Sequence, residues 1–235
     1  MSDHRGTWSA LQVQSNFEVV RKEVSPKRVR VYAGGQLVAD SRAPMLVWEV
    51  PYYPAYYLPA ADVLAEVTPS GDVVVGDVTV PGAARRVDDL VRLEFSAMDE
   101  WLEEDEPIYV HPRDPYKRVD ILASSRHVQV RLDGVTVASS RQPRILFETS
   151  LPPRYYLPLP DVRMDLLRPS ATTTSCPYKG TASYWSVGDH EDVVWIYRAP
   201  LPESQKITGL ACFYNEKVDL YVDGEHQERP RTPFS

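Results

Sequence analysis

VRVYAGGQLVADSRAPMLVWEVPYYPAYYLPAADV, residues 29–63, and VQVRLDGVTVASSRQPRILFETSLPPRYYLPLPDV, residues 128–162, align without a gap, and sixteen of their 35 pairs are identical. Gly35 falls on Gly134. Unrelated segments of ordinary composition would agree at roughly one position in fifteen, so the chain carries an internal duplication. Each copy opens on Val-x-Val, turns at a glycine, returns through Val38-Ala39 or Val137-Ala138, and passes Ser-Arg-x-Pro to an apolar triplet ending in Glu49 or Glu148. Alternating β-branched residues closed by glycine predict a β-hairpin.

The next run reads Pro54-Ala55-Tyr56-Tyr57-Leu58-Pro59 in one copy and Pro153-Arg154-Tyr155-Tyr156-Leu157-Pro158 in the other. Proline has no N–H to give to a ladder, which predicts an extended crossing segment rather than a central strand. A later match sets Phe95 and Met98 to Glu103 on Phe213 and Val218 to Asp223, a terminal strand in each copy. The expected organisation is an N-terminal extension at 1–28 supplying one added strand, a first, trimmed domain with its connecting segment at 29–120, and a second, complete domain at 121–235 whose tail from Gln227 frays. The fold class is mainly β, two tandem compact β-sheet domains.

The bulk composition agrees. With 21 Pro and 14 Tyr, strands and turns are favoured over long helices. A net charge of −7 argues against a nucleic-acid partner, which needs clustered Lys and Arg. No apolar run approaches the ~20 residues of a membrane span, and Met1 to Ala10 lacks a signal-peptide pattern. Two cysteines, Cys176 and Cys212, provide neither a disulfide framework nor a four-thiolate zinc site. The expectation is a soluble cytoplasmic protein with no cofactor and no membrane partner; self-association is left open.

Between the hairpin and the last strand the copies differ. The second holds Thr172-Thr173-Thr174-Ser175-Cys176-Pro177-Tyr178-Lys179-Gly180, where the first has Gly71 to Val91, a Val-rich hairpin without Cys, Tyr or Lys. An ammonium near a thiol favours the thiolate, so Cys176 and Lys179 are the candidate catalytic pair; the competing reading is a small buried Cys176 in a turn, with Lys179 solvated. The Thr run offers hydroxyls at Thr172 and Thr174, though β-branched residues also simply favour a strand. Tyr155 and Tyr156 point to opposite faces, one toward the core and one toward a pocket. Glu148 recurs as Glu49, which favours a structural carboxylate. His111 and Arg113, in His-Pro-Arg-Asp, form either a polar site or a local ion pair. Cys212 is expected in the core, and Glu103 to Glu106 on a solvated edge that resists aggregation.

Arg154 to Pro158, Thr172 to Tyr184 and Ala211-Cys212-Phe213-Tyr214, with Trp101 to Tyr116 as a characteristic ending in the first copy, resemble the domain of unknown function 427 (DUF427) family. That resemblance implies a tent-like β fold related to those of Mss4 and methionine sulfoxide reductase B. It implies no activity: a nucleotidyltransferase-like label used for the family finds no Gly-Ser with a metal-binding Asp-x-Asp pair here. Three functions follow. The first is a binding protein holding a small polar ligand between Tyr156, Thr174, Cys176, Lys179 and Tyr184, with Tyr155, Thr172, Glu148, His111 and Arg113 as further contacts. The second is a cofactor-free enzyme using Cys176 as nucleophile or redox thiol, assisted by Lys179 or His111. The third is an interaction module using an aromatic surface at Tyr52 to Tyr57.

Overall fold

The glycine turns form two-residue hairpin loops in which both central residues have positive φ, Gly34 and Gly35 in one and Asp133 and Gly134 in the other. This is the geometry that matches strand twist, and it explains the Gly-Gly and Asp-Gly pairs. The computed structural model describes residues 21–232. The chain divides into two units, the first ending at Asp114 and the second beginning at Pro115. It is mainly β, in separate antiparallel sheets.

The first unit contains β1 (Arg21–Val24), β2 (Val29–Ala33), β3 (Gln36–Ser41), β4 (Met45–Val50), β5 (Tyr53–Pro59), β6 (Glu66–Val67), β7 (Val73–Val75), β8 (Val78–Val80), β9 (Ala84–Val87), β10 (Leu90–Leu93), β11 (Glu100–Glu103) and β12 (Glu106–Ile108). Its sheets run β1-β4-β5-β10-β9, β12-β11-β2-β3 and β6-β7-β8. Val29 and Val31 of β2, Leu58 of β5 and Val91 of β10 are fully buried in one cluster with Leu46, Leu93 and Trp101. Each such aliphatic contributes roughly 1.5–3 kcal/mol by leaving water.

The second unit contains β13 (Val119–Ala123), β14 (Val128–Leu132), β15 (Val135–Ser140), β16 (Arg144–Glu148), β17 (Arg154–Leu157), β18 (Leu167–Cys176), β19 (Gly180–Val187), β20 (His190–Tyr197), β21 (Ala211–Phe213), β22 (Asp219–Val222) and β23 (Glu225–Gln227). They form a seven-stranded sheet, β13-β16-β17-β21-β20-β19-β18, and a four-stranded one, β15-β14-β22-β23. One face of the large sheet joins the small sheet in a core around Val128, Leu157 and Ala211. A separate cluster gathers Tyr156, Tyr184, Trp195, Tyr197 and Cys212.

Matching details recur 99 residues apart. A β-bulge falls after Val31 and after Val130. Ser41 Oγ donates to Asp62 at 2.6 Å and Ser140 Oγ to Asp161 at 2.6 Å. Bridges join Ala39 to Val63 and Ala138 to Val162.

The structure corrects several expectations. The Tyr-Tyr segments are not crossing segments: β5 lies between β4 and β10, and β17 between β16 and β21. Their prolines are tolerated because Pro54 falls in the irregular stretch where Val47 pairs Ala55 and Val50 pairs Tyr53, while Pro59 ends its strand and Pro158 follows its own. The terminal strands are real, but their register is one residue from the sequence match. Glu103 pairs with Val29 as Val222 pairs with Val128, so Glu104, not Glu103, corresponds to Asp223. Both have positive φ, and each carboxylate accepts a backbone N–H, from Arg28 and His127 respectively. A one-residue slip turns each side chain to the other face, and Glu103 is accordingly buried, accepting the Tyr56 hydroxyl at 2.9 Å and pairing with Lys27. It is no solvated edge. Tyr56 and Tyr57 are buried too, which leaves little of the expected aromatic surface. β1 supplies the expected added strand on β4; residues 1–20 lie outside the described residues. At the other end Thr232 Oγ1 donates to Glu216 at 2.5 Å, so the tail is tethered up to that point.

Candidate functional site

Cys176 closes β18 and pairs with Gly180 at the start of β19, leaving Pro177, Tyr178 and Lys179 as a three-residue hairpin loop. Gly180 has φ +91°, a left-handed conformation that an L side chain resists. The loop is pinned from behind: Leu201 N–H donates to the Lys179 carbonyl at 3.2 Å and Ser204 Oγ to the Tyr178 carbonyl at 3.0 Å. So held, Lys179 turns inward and its ammonium donates to Glu148 Oε2 at the end of β16. The two side chains are only 12% and 11% exposed, so Lys179 is not solvated.

Burial by itself would lower the Lys179 pKa. The adjoining Cys176 sulfur and Glu148 carboxylate outweigh burial and leave it raised. Lys179 is therefore a cationic hydrogen-bond donor at neutral pH rather than an amine nucleophile. Cys176 is half-buried. Around this trio, Tyr197 is buried and its phenol is pushed well up by desolvation, then by the neighbouring Cys176, Tyr184 and Glu148. Thr174 Oγ1 and the Tyr184 hydroxyl share a hydrogen bond at 2.8 Å, and the Tyr184 and Tyr214 hydroxyls another at 3.3 Å. Tyr156 lies in the same cluster, its hydroxyl accepting from Trp195 Nε1 at 3.1 Å.

Of the residues singled out from sequence, Glu148, Tyr156, Thr174, Cys176, Lys179 and Tyr184 converge here. Tyr155, as alternation requires, faces the other way, packed on the inter-sheet core with its phenol near Arg126 and Asp223. Thr172 donates to Asp192 at 2.6 Å. His111 and Arg113 belong to the first unit; His111 stacks on Tyr53 with centroids 4.3 Å apart, and its Nδ1 donates to the Pro112 carbonyl at 2.7 Å. Cys212 is wholly buried, as expected, and burial pushes its thiol far up.

Two features escaped the sequence reading. Tyr197 and Trp195 alternate along β20, and that period of two was the available signal. Arg154 and Glu216 form a buried bidentate pair, both bonds 2.7 Å. The Arg154 guanidinium lies 5.6 Å from the Trp195 ring, beneath the aromatic cluster.

The first unit has a carboxylate cluster of its own. Register defines the correspondence: Tyr57 pairs with Arg92 where Tyr156 pairs with Cys212, and Leu93 pairs with Ala84 where Phe213 pairs with Val194. Arg92 and Arg85 therefore stand where the second unit has Cys212 and Trp195. Both bind Glu49, Arg85 Nη2 at 2.8 Å and Arg92 Nε at 3.1 Å, and the Tyr57 hydroxyl donates to it at 2.6 Å. Burial opposes ionisation of Glu49, but Tyr57 and the arginines prevail and its pKa is lowered; Tyr57, buried and donating to that carboxylate, is pushed up to about 12. The first copy thus keeps a charged cluster that its missing Cys-Pro-Tyr-Lys block had hidden.

Among the described residues, no group of three or more His, Cys, Asp or Glu is placed to hold a metal ion, and no helix is long and apolar enough to cross a membrane. A family model described as a domain of unknown function (DUF427) matches residues 21–75 and 120–224. No curated protein matches the chain.

Proposed function

The chain belongs to the DUF427 family, and from that premise we propose that it is a binding protein whose second unit takes a small polar ligand at the Cys176–Lys179–Glu148 cluster. The observation that carries this reading is the buried Lys179–Glu148 pair. Such a pair seldom adds net stability over an apolar replacement, so its presence beside a half-buried thiol and the Thr174–Tyr184 hydroxyls supports a role in recognition. A protonated Lys179 with three N–H donors favours a ligand that offers oxygen acceptors, a carboxylate or carbonyl. The hydrogen bonds that recur in both units support the reading of the chain as a tandem pair. Two free thiols support a reducing compartment such as the cytoplasm.

A second reading has its own observation. The Lys179 ammonium interacts with the Cys176 sulfur, and a cation beside a half-buried sulfur supports nucleophilic or redox chemistry there.

One experiment addresses both. Cys176 is alkylated with iodoacetamide in the wild type and in Lys179→Met, with and without acetate, glycolate or inorganic phosphate, and followed by peptide mass. Binding predicts that at least one saturating oxyanion slows alkylation about tenfold in the wild type and not in the variant. Unchanged rates with all three refute it. The nucleophile reading requires Cys176 to react faster than free cysteine near pH 7, and to lose that advantage in Lys179→Met; a slower thiol sinks it.

A further inference from the structure

We infer that the first unit carries a separate binding site, for a small aromatic carboxylate. A cavity of about 250 Å³ opens there, and its lining divides into a polar and an aromatic part. The volume lies below the roughly 300–1,000 Å³ of drug-sized sites, which suits one ring with one substituent.

The polar part has an excess of donors. Glu49 already accepts from Tyr57, from Arg85 and, through both of its oxygens, from Arg92, so it has little left to offer a ligand. Arg92 is consumed as well, with Nη1 on Glu94 at 2.5 Å. Arg85 is not: its side chain is 51% exposed, only Nη2 is engaged, by Glu49 and the Tyr57 oxygen, and among the described residues Nε and Nη1 have no acceptor. The Tyr53 hydroxyl, half-buried beside Arg92 and Glu49, likewise has no hydrogen-bond partner among the described residues. A guanidinium and a phenol with donors to spare call for an oxygen acceptor, and a carboxylate satisfies both with charge assistance.

The other part offers faces rather than hydrogen bonds. The half-buried Phe95 supplies the face, backed by the core residue Trp101 with centroids 5.0 Å apart, and the Trp101 indole N–H is already given to the Phe95 carbonyl at 3.2 Å. Tyr53 and His111 form a second stacked pair. Flat, hydrogen-bond-poor walls select a ring. The site is also peculiar to this unit, because Arg85 and Arg92 occupy positions that Trp195 and Cys212 take in the other. It stands or falls independently of Cys176.

The test is isothermal titration of the full chain with benzoate, 4-hydroxybenzoate and indole-3-carboxylate, with acetate and benzyl alcohol as the two halves of the ligand. At least one ring carboxylate should bind, with each half at least tenfold weaker. Arg85→Met should weaken binding tenfold or more, Tyr53→Phe severalfold, and Arg86→Met, the same charge change on the exposed neighbour, not at all. Circular dichroism and melting temperature establish that each variant is folded. No binding of any ring carboxylate, acetate binding as well as benzoate, or equal loss in Arg85→Met and Arg86→Met would overturn the assignment.

Discussion

Glu148→Leu leaves the Lys179 ammonium buried without its carboxylate, and the structure sets the scale of the loss. Removing one partner of a buried pair costs about 3–5 kcal/mol, because the remaining charge is left uncompensated, whereas replacing both by apolar groups is often neutral or stabilising. With about a tenth of each side chain still exposed, the lower end applies, about 3 kcal/mol. For a unit of this size that is a fall in melting temperature of roughly 12 °C. Lys179→Met, leaving Glu148 stranded, should cost a similar amount, and the double variant should melt within a few degrees of the wild type. The pH dependence has a defined sign. The folded-state pKa of Lys179 is raised above its unfolded value, so its stabilisation is complete below about pH 10.4 and is lost as pH rises through the folded value. Lys179→Met should remove that alkaline loss. Urea denaturation at pH 7 and calorimetry between pH 7 and 11 measure both effects. Single variants costing under 1 kcal/mol, or a double variant costing the sum of the two, would refute the reasoning.

Two further outcomes follow from other buried groups. Arg154→Met strands Glu216 and should destabilise by about 3 kcal/mol in urea denaturation; Glu216 has a lowered pKa, its burial outweighed by Arg154, so the wild type should lose this contribution only as pH falls below about 4.3, through the folded value, and the variant should lack that acid step. His111 has its pKa lowered by burial, so the unfolded chain takes up the proton first and stability should fall as pH drops below about 6.5; His111→Gln should flatten the melting temperature between pH 5 and 7, and an unchanged slope would count against the burial argument.

What could be read from sequence was what local spacing encodes. Val-x-Val and the paired glycines predicted the hairpins, and the opposed faces of Tyr155 and Tyr156 followed from alternation alone. Which tyrosine faces the aromatic cluster depends on the pairing of Tyr156 with Cys212, 56 positions further on, and no local pattern contains it. Pro54 misled because a bulge relieves the missing N–H, and bulges leave no mark in composition. The burial of Lys179 depends on Glu148, 31 residues earlier; until that partner is located, the preference of lysine for water is the better guide. Arg85 and Arg92 passed unremarked for the same reason, since a charged residue in a strand declares neither its face nor its partner.

Glu49 and Glu148 stand at corresponding positions near the ends of β4 and β16, yet they draw their cations from different elements, and the difference bears on what each unit can do. In the second unit Trp195 and Cys212 fill the neighbouring sheet positions, so the cation comes from the β18–β19 hairpin, and a lysine on a loop serves. The first unit lacks that hairpin, and the cations must come from β9 and β10 themselves. Arginine suits the latter: its planar fork spans both carboxylate oxygens, as Arg92 does on Glu49, and its charge is fixed at all physiological pH. Lysine is a movable point charge whose pKa responds to its neighbours, and here those neighbours include a thiol. A fixed fork beside aromatic faces suits an anion of set geometry, whereas the Lys179 ammonium, kept protonated by its neighbours, is a single donor point for a small polar group.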